Sequence, residues 1–516
     1  MTAGADDDLV LAIDLGSSGL KVGYTTLTGE PRWWQFESIP TTYEGPAVTQ
    51  DARAWWRSIV RIARRGLAEG GLDGSRVVGV GITGQWGSVV PVDSEGMPVA
   101  EAVMWNDQRG SQLSAAIVGG PIVGYSPRPA LAWLRRTGGV PNPTGQDAMS
   151  QLLYLTHERP EVSAAARWFL EPVDYLAMRF TGRAAATPMS VLSSWLTDNR
   201  DLAQVDYDAR LVRMSGVDRA KLPPLVPSGT IVGTVRPEVA DLIGISRAAQ
   251  LATGAPDLHC AVVGSGCVRP FEAHLSIGTT GWITCPVPFK KTDVLNQMAS
   301  VPGIGDGQYV LVNNQDNAGR CLEWFRDTLT GFGAPVSFED VLALAVTAAP
   351  GSGGALFTPW LTGERSTLDD RNVRAGFHNV GIQTGAAELA RAVLEGVAFN
   401  SRLLLDVSER FAGHQFEPLR IVGGGARSDL WCQIVADVTD HTVERIENPI
   451  IVGLRGASLI LALALGAVSH DEIRSLVPVD RAFIPDSGTR ATYDRLYAEF
   501  PRLHSRNKAM FARLNG

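Results

Sequence analysis

The sequence predicts an α/β protein built from two duplicated domains, and three observations carry that prediction. The 516 residues are too many for one ordinary core, because chains of this length divide into domains of roughly 50 to 250 residues. Short apolar strands alternate with segments of helical periodicity in both halves. A glycine-rich turn, Ile13-Asp14-Leu15-Gly16-Ser17-Ser18-Gly19, returns 262 residues later as Leu275-Ser276-Ile277-Gly278-Thr279-Thr280-Gly281.

Taken in order, residues 10–14 form a short apolar strand, 16–19 a turn and 20–27 a returning strand, which together make a hairpin. Apolar residues at helical spacing predict a helix over 52–67, and the pair Trp55 and Trp56 reads as core packing. A buried strand over 77–82 runs into Thr83-Gly84-Gln85-Trp86-Gly87. Gly264, Gly266 and Pro270 mark the domain boundary, giving a first domain over 8–266 and a second over 270–470. Residues 26–34 and 286–293 are expected to be equivalent hairpin returns. Leu389, Ala392, Val393 and Gly396 place a buried helix over 388–400. After the apolar residues 419–422, the run Gly423-Gly424-Gly425 opens a helix over 428–439. The apolar run 457–468 is twelve residues long, short of the roughly 20 that cross a bilayer, and so reads as a core helix. Residues 471–516 are expected to be a helical extension.

Composition removes several function classes. Hydrophobic residues make up 45% and charged residues 19%, which fits a globular chain. A net charge of −8 leaves no basic footprint for nucleic acid. The five cysteines are odd in number and lack CxxC spacing, which argues against a disulfide framework or zinc site and for a reducing cytoplasm. Asp6, Asp7 and Asp8 stand where an export signal carries positive charge.

The chemistry-bearing residues gather on loops after strands. Gly16 lets backbone approach a phosphate, Ser17 and Ser18 supply donors, and Lys21 adds positive charge. Asp14 ends its strand where a carboxylate can hold Mg²⁺ or its waters, although an ordinary hairpin with an Asp beside its turn reads equally well. The second hairpin, Gly278, Thr279 and Thr280, and the Gly423 run make three phosphate-compatible loops. No GxxxxGK[ST] string is present, so a P-loop is not supported. Asp257 reads either as a functional carboxylate or as the cap of a following helix.

These stretches together resemble the FGGY carbohydrate kinase family, its xylulokinase branch most. They are the Asp14 hairpin, 49–56, 81–85, Trp105-Asn106-Asp107-Gln108-Arg109, Asp174-Tyr175-Leu176, 361–365, 388–396 and 423–428, spread almost end to end. The resemblance implies two actin-like (ribonuclease H-like) domains around a cleft that closes on ATP and a sugar. It implies transfer of the ATP γ-phosphate to a small sugar, D-xylulose first, with Asp257 as general base. Sugar contacts fall on Gln85, Trp86, Trp105, Asn106, Asp107, Arg109 and Asp257. Nucleotide contacts fall on Gly16, Ser17, Ser18, Lys21, Gly278, Thr279, Thr280, Gly319, Gly424, Gly425 and Ser428, with Mg²⁺ near Asp14 and Asp257. The implied partners are sugar and ATP, with no nucleic acid, no membrane and a homodimer as one admissible assembly. Glu364 and Arg365 match a Gly-Glu-Arg motif and read as structural more than catalytic.

The chain departs from the family pattern at several points. Trp86-Gly87 stands where Met-His is usual, so an imidazole expected to touch the sugar is absent. Leu258 and His259 follow the base where Asn or Gln is common, with His259 either a substitute imidazole or a structural group. Ala130 replaces a signature lysine and Asn379 a signature glycine. A kinase for another pentulose, hexulose or polyol is therefore an alternative acceptor reading. An actin-like ATPase switch and a sugar-binding regulator without catalysis are the readings from other classes.

Overall fold

The computed structural model describes residues 8–122, 124–305, 307–331, 333 and 335–516, so Asp6 and Asp7 of the acidic run lie outside the described residues. In the first half, β1 (Leu9–Leu15) is buried along its whole length, as a central strand with both sheet faces covered must be. It pairs antiparallel with β2 (Gly19–Thr26), which pairs with β3 (Pro31–Ser38). Helix α1 (Ala52–Glu69) starts on Asp51, whose side chain accepts from the Arg53 N–H. It buries Trp55, Trp56, Ile59, Ile62 and Ala63 on one face. Both tryptophans are core residues, Trp55 edge-on to Tyr175 and Trp56 edge-on to Phe180.

Strand β4 (Val77–Gly84) runs parallel to β1, and β5 (Ile231–Thr234) and β6 (Gln250–Ala252) complete the order β5-β6-β4-β1-β2-β3. The short β7 (Ala255–Pro256) also pairs with β4, at its carboxyl end, and leads directly into α2 (Asp257–Gly264).

The second half repeats the pairing pattern. Strand β8 (His274–Ile277) pairs antiparallel with β9 (Gly281–Thr284). Helices α3 (Gly319–Thr330) and α4 (Ala386–Ala412) follow, α4 being longer than its motif suggests because its buried face continues to Ala412. Strand β10 (Leu419–Val422) runs parallel to β8, and after α5 (Asp429–Thr439) strand β11 (Val443–Ile446) runs parallel to β10. Helix α6 (Val452–Ala464) contains the start of the apolar run, and β12 (Val479–Phe483) pairs antiparallel with β11 before α7 (Arg490–Asn515). The sequence of pairings across β2-β1-β4-β6-β5, antiparallel, parallel, parallel, antiparallel, is the same across β9-β8-β10-β11-β12. This is the duplicated actin-like arrangement that the repeated turn predicts.

Two expectations are corrected. The returns after the two hairpins are not equivalent: Pro31–Ser38 stays in the first sheet, whereas Pro286–Val287 pairs with Tyr309–Val312 in a separate four-stranded sheet. The 471–516 segment is not helical throughout, because Val479–Phe483 closes the second sheet.

Helix α6 joins the halves. It packs on β1, β4 and α2, and the approach depends on missing side chains. A Cβ on Gly81 would stand 2.5 Å from the Ala457 carbonyl oxygen, and one on Gly456 would collide with the Cys260 carbonyl of α2. Thr25 and Ser458 hydroxyls share a 2.6 Å hydrogen bond at the same interface. All five cysteines are buried free thiols, and no described helix is long and apolar enough to cross a membrane.

Candidate active site

The strand register assembles the site. Asp14 on β1 lies beside Thr83 on β4, and Thr83 lies beside Ala255 on β7, so the carboxyl ends of three neighbouring strands deliver Asp14, Gln85 and Asp257 to one edge. Ligands of open α/β sheets bind at such edges. The Gln85 N–H donates to the Leu15 carbonyl at 2.7 Å, which fixes the start of the Gln85-Trp86-Gly87 loop against the first hairpin.

The first hairpin closes with Gly16 N–H donating to Gly19 O at 2.9 Å, leaving Ser17 and Ser18 exposed. Lys21, paired with Asp14 in the strand register, holds the Asp14 carboxylate at 2.9 Å. A Cβ on Gly453, at the start of α6, would stand 2.7 Å from that carboxylate, so the second half presses backbone onto Asp14. The second hairpin closes one residue tighter, with Gly278 N–H donating to Thr280 O at 3.1 Å. Gly319 backs it through its N–H to the Gly278 carbonyl at 2.7 Å. The Gly423 run lies on the same hairpin. A Cβ on Gly423, whose φ is +92°, would stand 2.6 Å from the Ile277 carbonyl, while Gly424 faces open space. The helix after this run starts one residue later than expected, at Asp429, because Ser428 caps it by accepting from the Trp431 N–H at 3.2 Å; Gly424–Arg427 is a 3₁₀ turn. Ser428's hydroxyl oxygen thereby accepts from its own helix, and Gly425 is buried against Ile277.

Asp257 is the first residue of α2 and does not cap it in the expected way: its Oδ1 accepts from the neighbouring Leu258 N–H at 2.7 Å. Burial pushes its carboxyl up to about 6, the Leu258 N–H works against the rise, the Asp14 charge adds to it and Lys21 opposes it. That influence of Asp14 and Lys21 ties Asp257 to the first hairpin.

The remaining predicted acceptor residues divide. Trp86 is half-buried, its indole N–H donating to Ser190 O at 3.0 Å, and its ring meets His259 edge-on at 6.0 Å. Gly87 sits at φ +83° and donates its N–H to Glu171 Oε2 at 3.0 Å. Trp105 Nε1 donates to Ser17 Oγ at 3.0 Å, and the Arg365 guanidinium of the second half stands 5.2 Å from the Trp105 ring. Asp107 is buried and holds its own loop, accepting from the Val48 N–H and from the Arg109 N–H and side chain. Arg109 also donates to Tyr154 OH at 2.7 Å, so this pair forms the loop-holding salt bridge. Asn106 lines a cavity of about 480 Å³ with Tyr43, Gly45, Pro46, Val48, Gln108 and Gln146. His259 is fully buried, with Nε2 at 2.9 Å from the Pro302 carbonyl, and burial pulls its pKa down to about 4, so the ring is neutral at pH 7.

Glu364 accepts from Asp316 N–H, Arg365 N–H and Asn400 Nδ2, and Arg365 bonds Asp316, which makes the pair a brace within the second half. Asn379 adopts φ +57°, the left-handed region where Gly is easiest and Asn is tolerated, which accounts for the replaced signature glycine. Glu171 and Ser193 were not singled out from sequence. Glu171 holds Gly87 and also accepts from Ser193 Oγ at 2.8 Å, and burial raises its carboxyl well above the usual range. The only local signal was a carboxylate directly before the helix-starting Pro172.

An Mg²⁺ ion fits this donor set as an ion shared with phosphates and water, since Asp14 and Asp257 offer hard oxygens and no group of three or more metal-ligating side chains occurs among the described residues.

Comparison with known proteins agrees with this layout. The model of the FGGY family of carbohydrate kinases, N-terminal domain, matches residues 9–264, and that of the C-terminal domain matches 273–465. A xylulose kinase of Staphylococcus epidermidis is 26% identical over 98% of each chain. A xylulose kinase of Escherichia coli K12 is 27% identical over 96% of this chain and 98% of its own. The crystal structure of a gluconate kinase from Lactobacillus acidophilus superposes with a TM-score of 0.85 at 21% identity, over 98% of this chain and 99% of that one. With both domain models matched in order and the duplicated fold beneath them, the chain belongs to the FGGY family of carbohydrate kinases.

Proposed function

We propose that this sugar kinase transfers the ATP γ-phosphate to a primary hydroxyl of a small ketose, with D-xylulose the lead acceptor because the similar curated proteins carry that name. The observation that carries the reading is Asp257, a buried carboxylate at the strand edge beside Asp14 and Lys21, held near pH 6. A base of that affinity is largely ionised at neutral pH and takes a hydroxyl proton readily.

In the proposed step the acceptor hydroxyl gives its proton to Asp257 while its oxygen bonds the γ-phosphorus. The bond from that phosphorus to the ADP oxygen breaks, leaving sugar phosphate, ADP and a protonated Asp257 that returns its proton to water. The first hairpin's backbone N–H groups with Ser17 and Ser18, and the second hairpin's with Thr279 and Thr280, orient the phosphates, and Gly424 leaves room beside them for the nucleotide. Lys21 orients the Asp14 carboxylate through their 2.9 Å ion pair. Asp14 and Asp257 would hold Mg²⁺ through its waters, and the bound ion would supply neutralisation of phosphate charge. Gln85 faces the acceptor, and Trp86 and Trp105 shape the pocket around it.

The test is coupled ADP release across ketoses, aldoses and polyols. Sugar-dependent ADP release supports the reading, and ATP turnover indifferent to every sugar defeats it. A second acceptor class is favoured by one observation: Gly87 carries no side chain where the family resemblance implies an imidazole, and its φ of +83° resists one.

A further inference from the structure

One side chain of the second half reaches the aromatic residue that holds the first hairpin. The Arg365 guanidinium stands 5.2 Å from the Trp105 ring centroid, within the distance at which a cation is drawn to an indole face. Trp105 in turn donates its indole N–H to Ser17 Oγ at 3.0 Å. Because that oxygen accepts, the Ser17 hydroxyl keeps its own proton to donate.

The same guanidinium is tied to the second hairpin. Its Nε donates to Asp316 Oδ1 at 2.8 Å, and Arg371 takes Asp316 Oδ2 at 2.7 Å. Gln315, directly before Asp316, exchanges backbone hydrogen bonds with Gly281 of the second hairpin at 3.0 and 2.7 Å. Gly281, Gln315, Asp316, Arg365, Trp105 and Ser17 therefore join the two turns by an unbroken series of contacts, and the step from Arg365 to Trp105 is the one that crosses between the halves.

The loop that carries Arg365 is held in a costly backbone conformation. Thr367 at φ +78° and Asp369 at φ +46° are left-handed without being glycine, and Gln297, whose side chain donates to Asp369 at 3.2 Å, is a third at +54°. Such conformations persist only where their surroundings impose them, and they gather at functional sites. Here Glu364 and Asp370 exchange backbone hydrogen bonds at 2.9 Å, Asp369 N–H donates to the Arg365 carbonyl at 2.7 Å, and Ser366 bonds Asn314 in both directions. The loop also faces the first half at a second point: the Asp369 charge adds to the rise that burial and Asp147 impose on the Tyr125 hydroxyl. Arg365 is thus presented from a fixed support and differs from a surface arginine that finds a partner by chance.

We infer that Arg365 is a positioning residue for nucleotide binding, holding Trp105 from across the cleft and, through the indole N–H, Ser17 of the first hairpin. The first hairpin is then fully arranged only when the second half is seated against it. This rests on the phosphotransfer reading above for the phosphate that Ser17 meets.

The experiment is a double-mutant cycle on the full-length protein, Arg365→Gln, Trp105→Leu and both together. It reads the affinity for a non-hydrolysable ATP analogue with Mg²⁺ by titration calorimetry. Arg365→Gln is expected to weaken binding about 2- to 30-fold, the span of a cation–aromatic contact from exposed to desolvated. In the Trp105→Leu protein the same change is expected to weaken binding by less than about twofold, since no ring is left to hold. Equal losses in the two backgrounds overturn the assignment. Arg371→Gln removes the other cation on Asp316 and leaves Arg365 in place, so its affinity is expected within about twofold of wild type. A loss there as large as that of Arg365→Gln overturns the role across the cleft and leaves only the brace within the second half. If Arg365→Gln does not fold, the cycle is run with Arg365→Lys and judged by the same comparison. Wild-type protein that releases no ADP with any acceptor defeats the phosphotransfer reading, whereas the binding cycle by itself decides the role of Arg365.

Discussion

Replacing Asp257 by Asn separates what this carboxylate does for chemistry from what it does to the fold. The side chain keeps its size and its oxygen toward the Leu258 N–H, but loses the charge. In the folded protein burial lifts the carboxyl from an ordinary 3.8 to about 6, so the folded state binds more protons than the unfolded state between those values. The sign follows: stability conferred by the protonated group is fully present below 3.8 and is lost as pH rises through about 6. At about 1.4 kcal/mol for each pH unit of that interval, the ionised carboxylate costs the wild-type protein about 3 kcal/mol at neutral pH. Asp257→Asn avoids this cost. It is expected to unfold at a higher temperature than wild type at pH 8, with the gap closing toward pH 4, while kcat falls by about 10²- to 10⁴-fold as a lost general base requires. The wild-type rate is expected to rise with pH through about 6, since only the ionised carboxylate accepts the proton. Thermal unfolding from pH 4 to pH 8 and ADP release over pH 5 to 8 check both halves. Near-normal turnover in the variant refutes the base assignment. A stability gap of the same size at pH 4 and pH 8 refutes the account of a buried charge.

Three further outcomes are expected. Gly456→Ala drives a methyl into the Cys260 carbonyl, one turn along α2 from Asp257, and overpacking of this kind costs about 1 to 3 kcal/mol; thermal unfolding should show the loss, with a fall in kcat as α2 shifts, and an unchanged midpoint would contradict the crossing. Glu171→Gln loses one of two acceptors that hold Gly87 and Ser193, so KM for the acceptor should rise about 10- to 100-fold with a smaller change in kcat, given about 1 to 3 kcal/mol for a buried donor left without its acceptor; a KM at the wild-type value would assign Glu171 to folding alone. Solution scattering with sugar and a non-hydrolysable nucleotide together should show a smaller radius of gyration than either alone, because closure excludes water from the γ-phosphate, and an unchanged radius would argue against hinge motion.

The packing of the glycine-rich loops was legible in the sequence because backbone geometry there is written in residue types. Only glycine permits the approaches at Gly319 and Gly423, so the composition of those loops announces their packing against Gly278 and Ile277. The duplication was legible for the same reason, since each half needs the same turn after its first strand. The acceptor side was not, because its polar residues can be counted in sequence but not seen to be occupied. Asp107 and Arg109 look like sugar ligands until Val48 and Tyr154, distant in sequence, take their valences. Glu171 was hidden in the opposite sense, since the group it holds is a backbone N–H. The return after the second hairpin failed for a topological reason: local alternation predicts a strand but not its partner, and Pro286–Val287 finds Tyr309–Val312 rather than β9.

The asymmetry between the two sides has a structural origin in how the halves meet. Helix α6 belongs to the matched C-terminal domain, yet it lies on β1 and β4 and places Gly453 against Asp14 and Gly456 against α2. The first hairpin and the helix that carries Asp257 are thus held by backbone contacts that admit almost no side-chain change. The Gln85-Trp86-Gly87 loop begins four residues beyond Gly81 with its first N–H held by Leu15, and Trp86 and Gly87 are held by Ser190 and Glu171 from a separate part of the chain. Changes at 86 and 87 therefore bear on the Ser190 and Glu171 contacts and not on the glycine packing around Asp14 and α2. Different interactions thus fix the two sides, close packing of glycine around Asp14 and α2 and a small set of hydrogen bonds around the Gln85-Trp86-Gly87 loop.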